Sequence, residues 1–163
     1  MSVYNVGPVG FAGVSQVTAT RGTNDPEVGT VIRSGDEEYI YCYNVGSSTI
    51  NPGHGVIVSA VTGYSVTVSS VTAVDFFVAV CKHAAVPTGS YGWLVTKGFC
   101  AVEMGADNSA AAGQVLCAGV DGTWALKTTT TGLNGAYDAQ HTQAKAMEAI
   151  ASGASGMAFV KCF

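Results

Sequence analysis

Two stretches of this sequence repeat one another about sixty residues apart, and that self-similarity limits the folds available to it. Pro52-Gly53-His54-Gly55-Val56-Ile57-Val58, followed by Thr62-Gly63-Tyr64, is echoed by Ala112-Gly113-Gln114-Val115-Leu116-Cys117 and Asp121-Gly122-Thr123-Trp124, with a one-residue gap. Further on, Val80 to Val95 aligns without a gap against Ala144 to Phe159, which matches Gly89 with Gly153. Two copies are too few for a solenoid, whose repeats bury their apolar faces only by stacking in series. The expectation is a duplicated β unit packed on itself, with copies over about 50–97 and 110–161 of a β domain spanning 31–163.

The local pattern within each copy is β. From Thr30 onward short apolar runs alternate with turn signals, as in a sandwich or barrel. The predicted strands are Glu38 to Tyr43, Gly55 to Val61, Tyr64 to Val68, Phe76 to His83, Tyr91 to Lys97, Phe99 to Met104, Gln114 to Ala118, Trp124 to Lys127 and Met157 to Lys161. In Tyr64-Ser65-Val66-Thr67-Val68 apolar residues alternate with hydroxyls, so one face is buried and the other is wet. Lys97-Gly98 and Asp121-Gly122 each lie between apolar runs, where glycine supplies the positive φ of a tight hairpin. Asp138 to Ile150 has helical propensity when read alone. Its partner copy is β, so Ala144 to Ala149 is read as a strand, with a helical turn allowed over Ala139 to Gln143.

Residues 1–30 are different, with seven glycines and prolines (Gly7, Pro8, Gly10, Gly13, Gly22, Pro26, Gly29) between isolated apolar residues such as Val3, Tyr4, Val6, Val9, Phe11 and Val14. That density breaks regular elements and reads as an extended N-terminal arm or a disordered tail. The apolar residues would give an arm something to lay on a neighbouring surface.

Charge excludes some functions. Only 11% of residues are charged against 48% hydrophobic, and a net charge of −4 with seven Lys and Arg spread along the chain lacks the footprint of a nucleic-acid binder. No run approaches a membrane span, and Met1 to Phe11 lacks the basic start and apolar stretch of a signal peptide, so a soluble protein made in the cytoplasm is expected. Cys42, Cys81, Cys100, Cys117 and Cys162 form an odd set without C-x-x-C spacing and read as reduced core thiols.

The search for chemistry finds little. Cys81 and His83 share a strand face if the strand is regular, but nothing orients the imidazole. Ser155 in Gly153-Ala154-Ser155-Gly156-Met157 fails the G-x-S-x-G spacing and reads as part of a turn. His54 between two glycines is matched by Gln114 in the other copy, so the unit does not require an imidazole. Asp36-Glu37-Glu38 reads as a solvated loop before a strand, without the alternating oxygen ligands of a calcium loop. Trp93 and Trp124 sit in alternating strands, where a large aromatic fills a core or interface; a sugar-stacking platform would need one of them exposed. No catalytic residue, cofactor or metal is expected, and the chain reads as a non-enzymatic structural protein.

The repeated grammar is a small residue and glycine, a short apolar strand, a turn like Asp121-Gly122, then a strand leading to Ala151-Ser152-Gly153-Ala154-Ser155-Gly156 and a closing strand. In this it resembles the glycine- and alanine-rich head decoration (cement) proteins of tailed bacteriophages, over roughly residues 50–163. Departures are the five cysteines and the insertion from Thr128 to Thr142. The resemblance implies copies, often trimers, bound to the major capsid protein on the outside of the head, with no nucleic-acid or membrane partner. The arm would then grip the capsid through Tyr4, Val6 and Phe11. A phage tail or head-fibre component and a carbohydrate-binding β module are the alternatives.

Overall fold

The computed structural model describes residues 3–4, 26–60, 64–68, 77–127 and 144–162. They form an all-β fold of eleven strands in one continuous sheet: β1 (Val3–Tyr4), β2 (Val31–Ser34), β3 (Glu37–Asn44), β4 (Gly55–Ala60), β5 (Ser65–Thr67), β6 (Ala79–Val80), β7 (Tyr91–Glu103), β8 (Val115–Ala118), β9 (Trp124–Leu126), β10 (Ala144–Ala146) and β11 (Ser155–Lys161). The sheet closes on itself twice. In the first ring the neighbours run β3-β5-β4-β6-β7 and β7 returns to β3; every pairing is antiparallel except the parallel β3/β5 contact. In the second, the order β7-β11-β10-β8-β9 is closed by a parallel bridge between Met104 and Trp124, where the Gly105 N–H donates to the Trp124 carbonyl at 2.9 Å.

The two rings have the same ladder. β4, β5, β6 and the first half of β7 occupy in one ring the places of β8, β9, β10 and β11 in the other, while β3 corresponds to the second half of β7. An antiparallel bridge between Ile50 and Val86 recurs as Ala110 with Ile150. Gly53 and Gly113 take φ of 92° and 85° in equivalent turns, and Gly89 and Gly153 take 73° and 64°.

Superimposing the ladders corrects one part of the sequence alignment. Ala79 pairs with Val56 as Ala144 pairs with Leu116, so Ala79, not Val80, is the counterpart of Ala144. Strand side chains alternate with a period of two. The gap-free alignment would have matched Lys145 to Cys81, which is buried in the core; the slip instead leaves Lys145 outside, between buried Ala144 and Ala146.

Equivalent interior positions trade volume. Ile40, Ile50 and Leu94 of the first ring become Cys100, Ala110 and Ala158 in the second, while Val56, Val66 and Asn44 become Leu116, Trp124 and Met104. Cores tolerate such exchange when total volume is kept. Asn44, the polar member, is fully buried and satisfied: its amide donates to the carbonyls of Ser48 (2.9 Å) and Val86 (2.8 Å), and its side-chain oxygen accepts from Gly46 N–H at 3.0 Å.

The hairpin expected at Lys97-Gly98 does not form; the chain continues straight through it as β7. Glu38 pairs with Lys97 and Tyr39 with Val95, leaving Thr96 as a bulge, and Gly98 follows at φ 135° with Glu37 packed where a Cβ would stand. A bulge bends a strand and increases its twist, and here it carries β7 from one ring into the next. Asp121-Gly122 does form the turn of the β8/β9 hairpin: the two residues take φ of 54° and 80°, and the Thr123 N–H donates to the Val120 carbonyl at 3.0 Å. The strand expected over Phe76 to His83 shortens to β6 and that over Ala144 to Ala149 to β10, each followed by a bend. β2 was not anticipated. The segment Ala139 to Gln143 lies outside the described residues.

Trp124 joins the rings. It is fully buried, packs edge-to-face on Phe77 of the first unit at 4.8 Å, and its indole N–H donates to the Gly53 carbonyl at 3.1 Å. We predict that Trp124→Ala lowers stability by about 3–5 kcal/mol, as for other buried Trp truncations. Val66→Ala at the equivalent position removes fewer atoms and should cost less. Urea melts of both variants measure the order; a smaller loss for Trp124→Ala would contradict the shared core.

Candidate functional site

The residues singled out for chemistry are brought into different company from that expected. The Cys81 thiol donates to the Ala84 carbonyl at 3.3 Å, and burial pushes its pKa up to about 12, so it is held as a thiol. His83 turns instead to Tyr39, stacking on its ring at 5.9 Å with Nε2 3.2 Å from the phenol oxygen. Tyr39 donates to Glu37, and Lys82 makes an ion pair with the same carboxylate. The result is a half-buried network, Glu37-Tyr39-Lys82-His83, beside the β7 bulge. Burial alone would raise the Glu37 pKa, but hydrogen bonds from Lys82 and Tyr39, aided by nearby positive charge, outweigh it and hold the carboxyl below its ordinary value. Burial, then the Lys82 charge, hold His83 below its ordinary value.

Only Asp36 of the acidic run is an exposed turn residue. Glu37 and Glu38 belong to β3, and Glu38 accepts from Arg33 at 2.7 Å. His54 lies 3.2 Å from the Glu103 carboxylate, and its Nδ1 is buried without a partner. Ser155 opens β11 opposite Glu103 rather than sitting in the turn, which is closed by Ala154 N–H to Ala151. Both tryptophans are buried, Trp93 at 4% and Trp124 at 0% exposure, so neither offers a sugar-stacking face. Of the expected capsid contacts, Tyr4 lies in β1, which pairs in parallel with Val31–Ile32 of the same chain; Val6 and Phe11 lie outside the described residues.

The sequence reading did not locate the outer face of the second ring. Directly paired residues in an antiparallel ladder point to the same side. Phe99 opposite Phe159 and Ala101 opposite Met157 therefore project outward from β7 and β11. The two phenylalanines meet edge-to-face at 5.1 Å, and with Met147, Ala146, Gly113 and Lys145 they line an open apolar groove of about 350 Å³. Phe99, Met147 and Met157 are 47%, 48% and 42% exposed. The matching first-ring residues Tyr39, Tyr41, Trp93 and Val95 are buried. Alternation did place Phe99 opposite in sense to Cys100, but alternation alone does not say which face a neighbour covers.

No protein-family model matches the sequence, and no curated protein matches it. The fold is similar to a solved structure, the head fiber gp8.5 N base of bacteriophage phi29. The TM-score is 0.53 at 14% identity, covering 76% of this chain and 92% of that one. At that identity the likeness is one of fold.

Two predictions follow from the geometry of the polar groups. In the folded chain both His83 and Glu37 resist protonation more than they do when unfolded. Both contributions are intact at neutral pH. That of His83 fades as pH falls below about 6.5, and that of Glu37 as pH falls below about 4.5 through its lower folded value. In stability-pH profiles, His83→Gln should flatten the upper step and Glu37→Gln the lower; unchanged profiles would contradict the network. All five thiols are free, four of them buried and Cys117 half-buried. A thiol reagent should therefore modify Cys117 first in native protein and all five after denaturation without reductant; prior loss of two thiols would indicate a crosslink.

Proposed function

We propose that this chain is a non-enzymatic structural component of a bacteriophage head, a decoration protein bound to the major capsid protein on the outer surface. The observation that carries the reading is the fold likeness to a head fiber base, which extends over 92% of that structure. The repeat grammar, found independently in the sequence, points the same way. A weakly charged exterior with exposed apolar side chains suits repeated protein contacts, since few ions must be desolvated. Many copies would multiply modest single-site affinities. Homotrimers, as in decoration proteins of this style, and a capsid-gripping role for residues 1–25 belong to the same proposal.

A second reading, the base of a head fibre, is favoured by the same neighbour. The two differ in occupancy: a decoration protein covers the lattice, whereas a fibre base occupies sparse sites and carries a projecting shaft. Cryo-electron microscopy of virions from the phage encoding this chain should place two-ring density on the outside of the head, at lattice-wide positions for decoration. Sparse density continuous with a shaft would favour the fibre reading. Absence of the protein from purified virions would sink both.

A further inference from the structure

We infer that the outer face of the second ring is a docking surface for a protein partner whose apolar ridge is flanked by carboxylates; this deepens the head-component reading and rests on it for the partner's location. Three of the chain's seven Lys and Arg lie around one pair of aromatic rings. Lys97 stands directly opposite Lys161, one row from Phe99 and Phe159, and Lys145 of β10 pairs with Phe159 from the other side. All three lysines are exposed. Among the described residues the ion pairs are Arg33–Glu38, His54–Glu103 and Lys82–Glu37, and none uses these lysines.

Like charges directly opposite on neighbouring strands destabilise the ladder. An external anion would relieve that repulsion. The carboxylates on and beside this face already have partners: Glu38, the ladder neighbour of Lys97, pairs with Arg33, Glu37 with Lys82, Glu103 with His54, and Glu148 accepts from the Met157 amide N–H. In a chain of net charge −4, a local cationic rim around an apolar centre is set apart from the rest of the surface.

The same chemistry separates the candidate occupants. A second copy docking face to face about a two-fold axis would set lysines against lysines, which electrostatic complementarity disfavours. Nucleic acid is bound chiefly through many cations tracking phosphates, whereas the centre of this face is Phe99, Phe159 and Met157. A protein ridge with an apolar middle and acidic edges satisfies both parts.

Two experiments on the full-length chain decide it. In the first, wild type, Phe99→Ser/Met157→Ser and the triple variant K97E/K145E/K161E are added to phage heads produced without this protein. All changes are on exposed positions, and melting curves check that each variant is folded. The expected result is at least about a tenfold loss of affinity for both variants, as for truncation of central contacts, and wild-type binding that weakens as salt shortens the screening length. Variants that bind like wild type would overturn the proposal while leaving the head reading intact. In the second, a photoreactive phenylalanine analogue at position 99 is crosslinked in infected cells and the product mapped. A crosslink to a carboxylate-bearing segment of the capsid protein supports both readings. A crosslink to such a segment of another virion protein, with no binding to heads, keeps the docking face and removes the head reading. No crosslink, or one to nucleic acid, to a second copy or to residues 128–143 of this chain, overturns the docking face.

Discussion

Thirteen consecutive residues, Tyr91–Glu103, belong to two closed rings of strands at once. The first half of β7 pairs with β3 and β6, and the second half with β11 before bridging to β9. Removing this strand would open both rings and expose ladder edges in each, so the backbone hydrogen bonding of either unit depends on the other. The bulge at Thr96 makes the sharing possible. Its carbonyl accepts from Cys162 N–H at 2.8 Å, and its hydroxyl donates to the Glu38 carbonyl at 3.2 Å, so the unpaired residue still finds partners in both units. The Gly53 carbonyl adds a second tie, accepting from Glu103 N–H at 3.2 Å and from the Trp124 indole.

Within this frame the interiors of the two units stayed equivalent while their exteriors diverged. Inside, a smaller residue in one ring answers a larger one in the other, as Cys100 and Ala158 do around Trp124. Outside, the strip that is Tyr39, Tyr41, Trp93 and Val95 in the first unit is buried, with Tyr41 and Trp93 rings 5.0 Å apart. Its counterpart Phe99, Ala101, Met157 and Phe159 faces outward and is edged by lysines. Packing constrains an interior closely, whereas an outer face is free to follow what it touches. The proposed docking face lies where these two outer faces differ.

Much of the architecture was legible in the residues. The glycine pairs Gly53/Gly113 and Gly89/Gly153 announced equivalent turns because few other residues adopt those φ values, and alternation in Ser65-Val66-Thr67 gave a strand with Val66 inward. Four features were hidden, each for a physical reason. Lys97-Gly98 has the composition of a hairpin turn, and only the ladder on both sides shows that the glycine serves a bulge instead. Lys145 fell one position out of line because short strands such as β6 and β10 carry too few residues to fix their phase. The Glu37-Lys82 pair joins residues distant in sequence, and nothing in their local spacing predicts that contact. The docking face was obscured for the same reason: Lys97, Lys145 and Lys161 look scattered along the chain until three strands bring them together.

Native-state hydrogen exchange tests the central claim, that one strand makes two rings a single cooperative body. The amides of Leu94 and Val102 lie on opposite sides of Gly98, each in a different ring. As denaturant rises, their exchange should merge into one opening reaction, with the same free energy and the same denaturant slope as global unfolding. Two separate isotherms, with one ring opening while the other keeps its amides protected, would contradict the account.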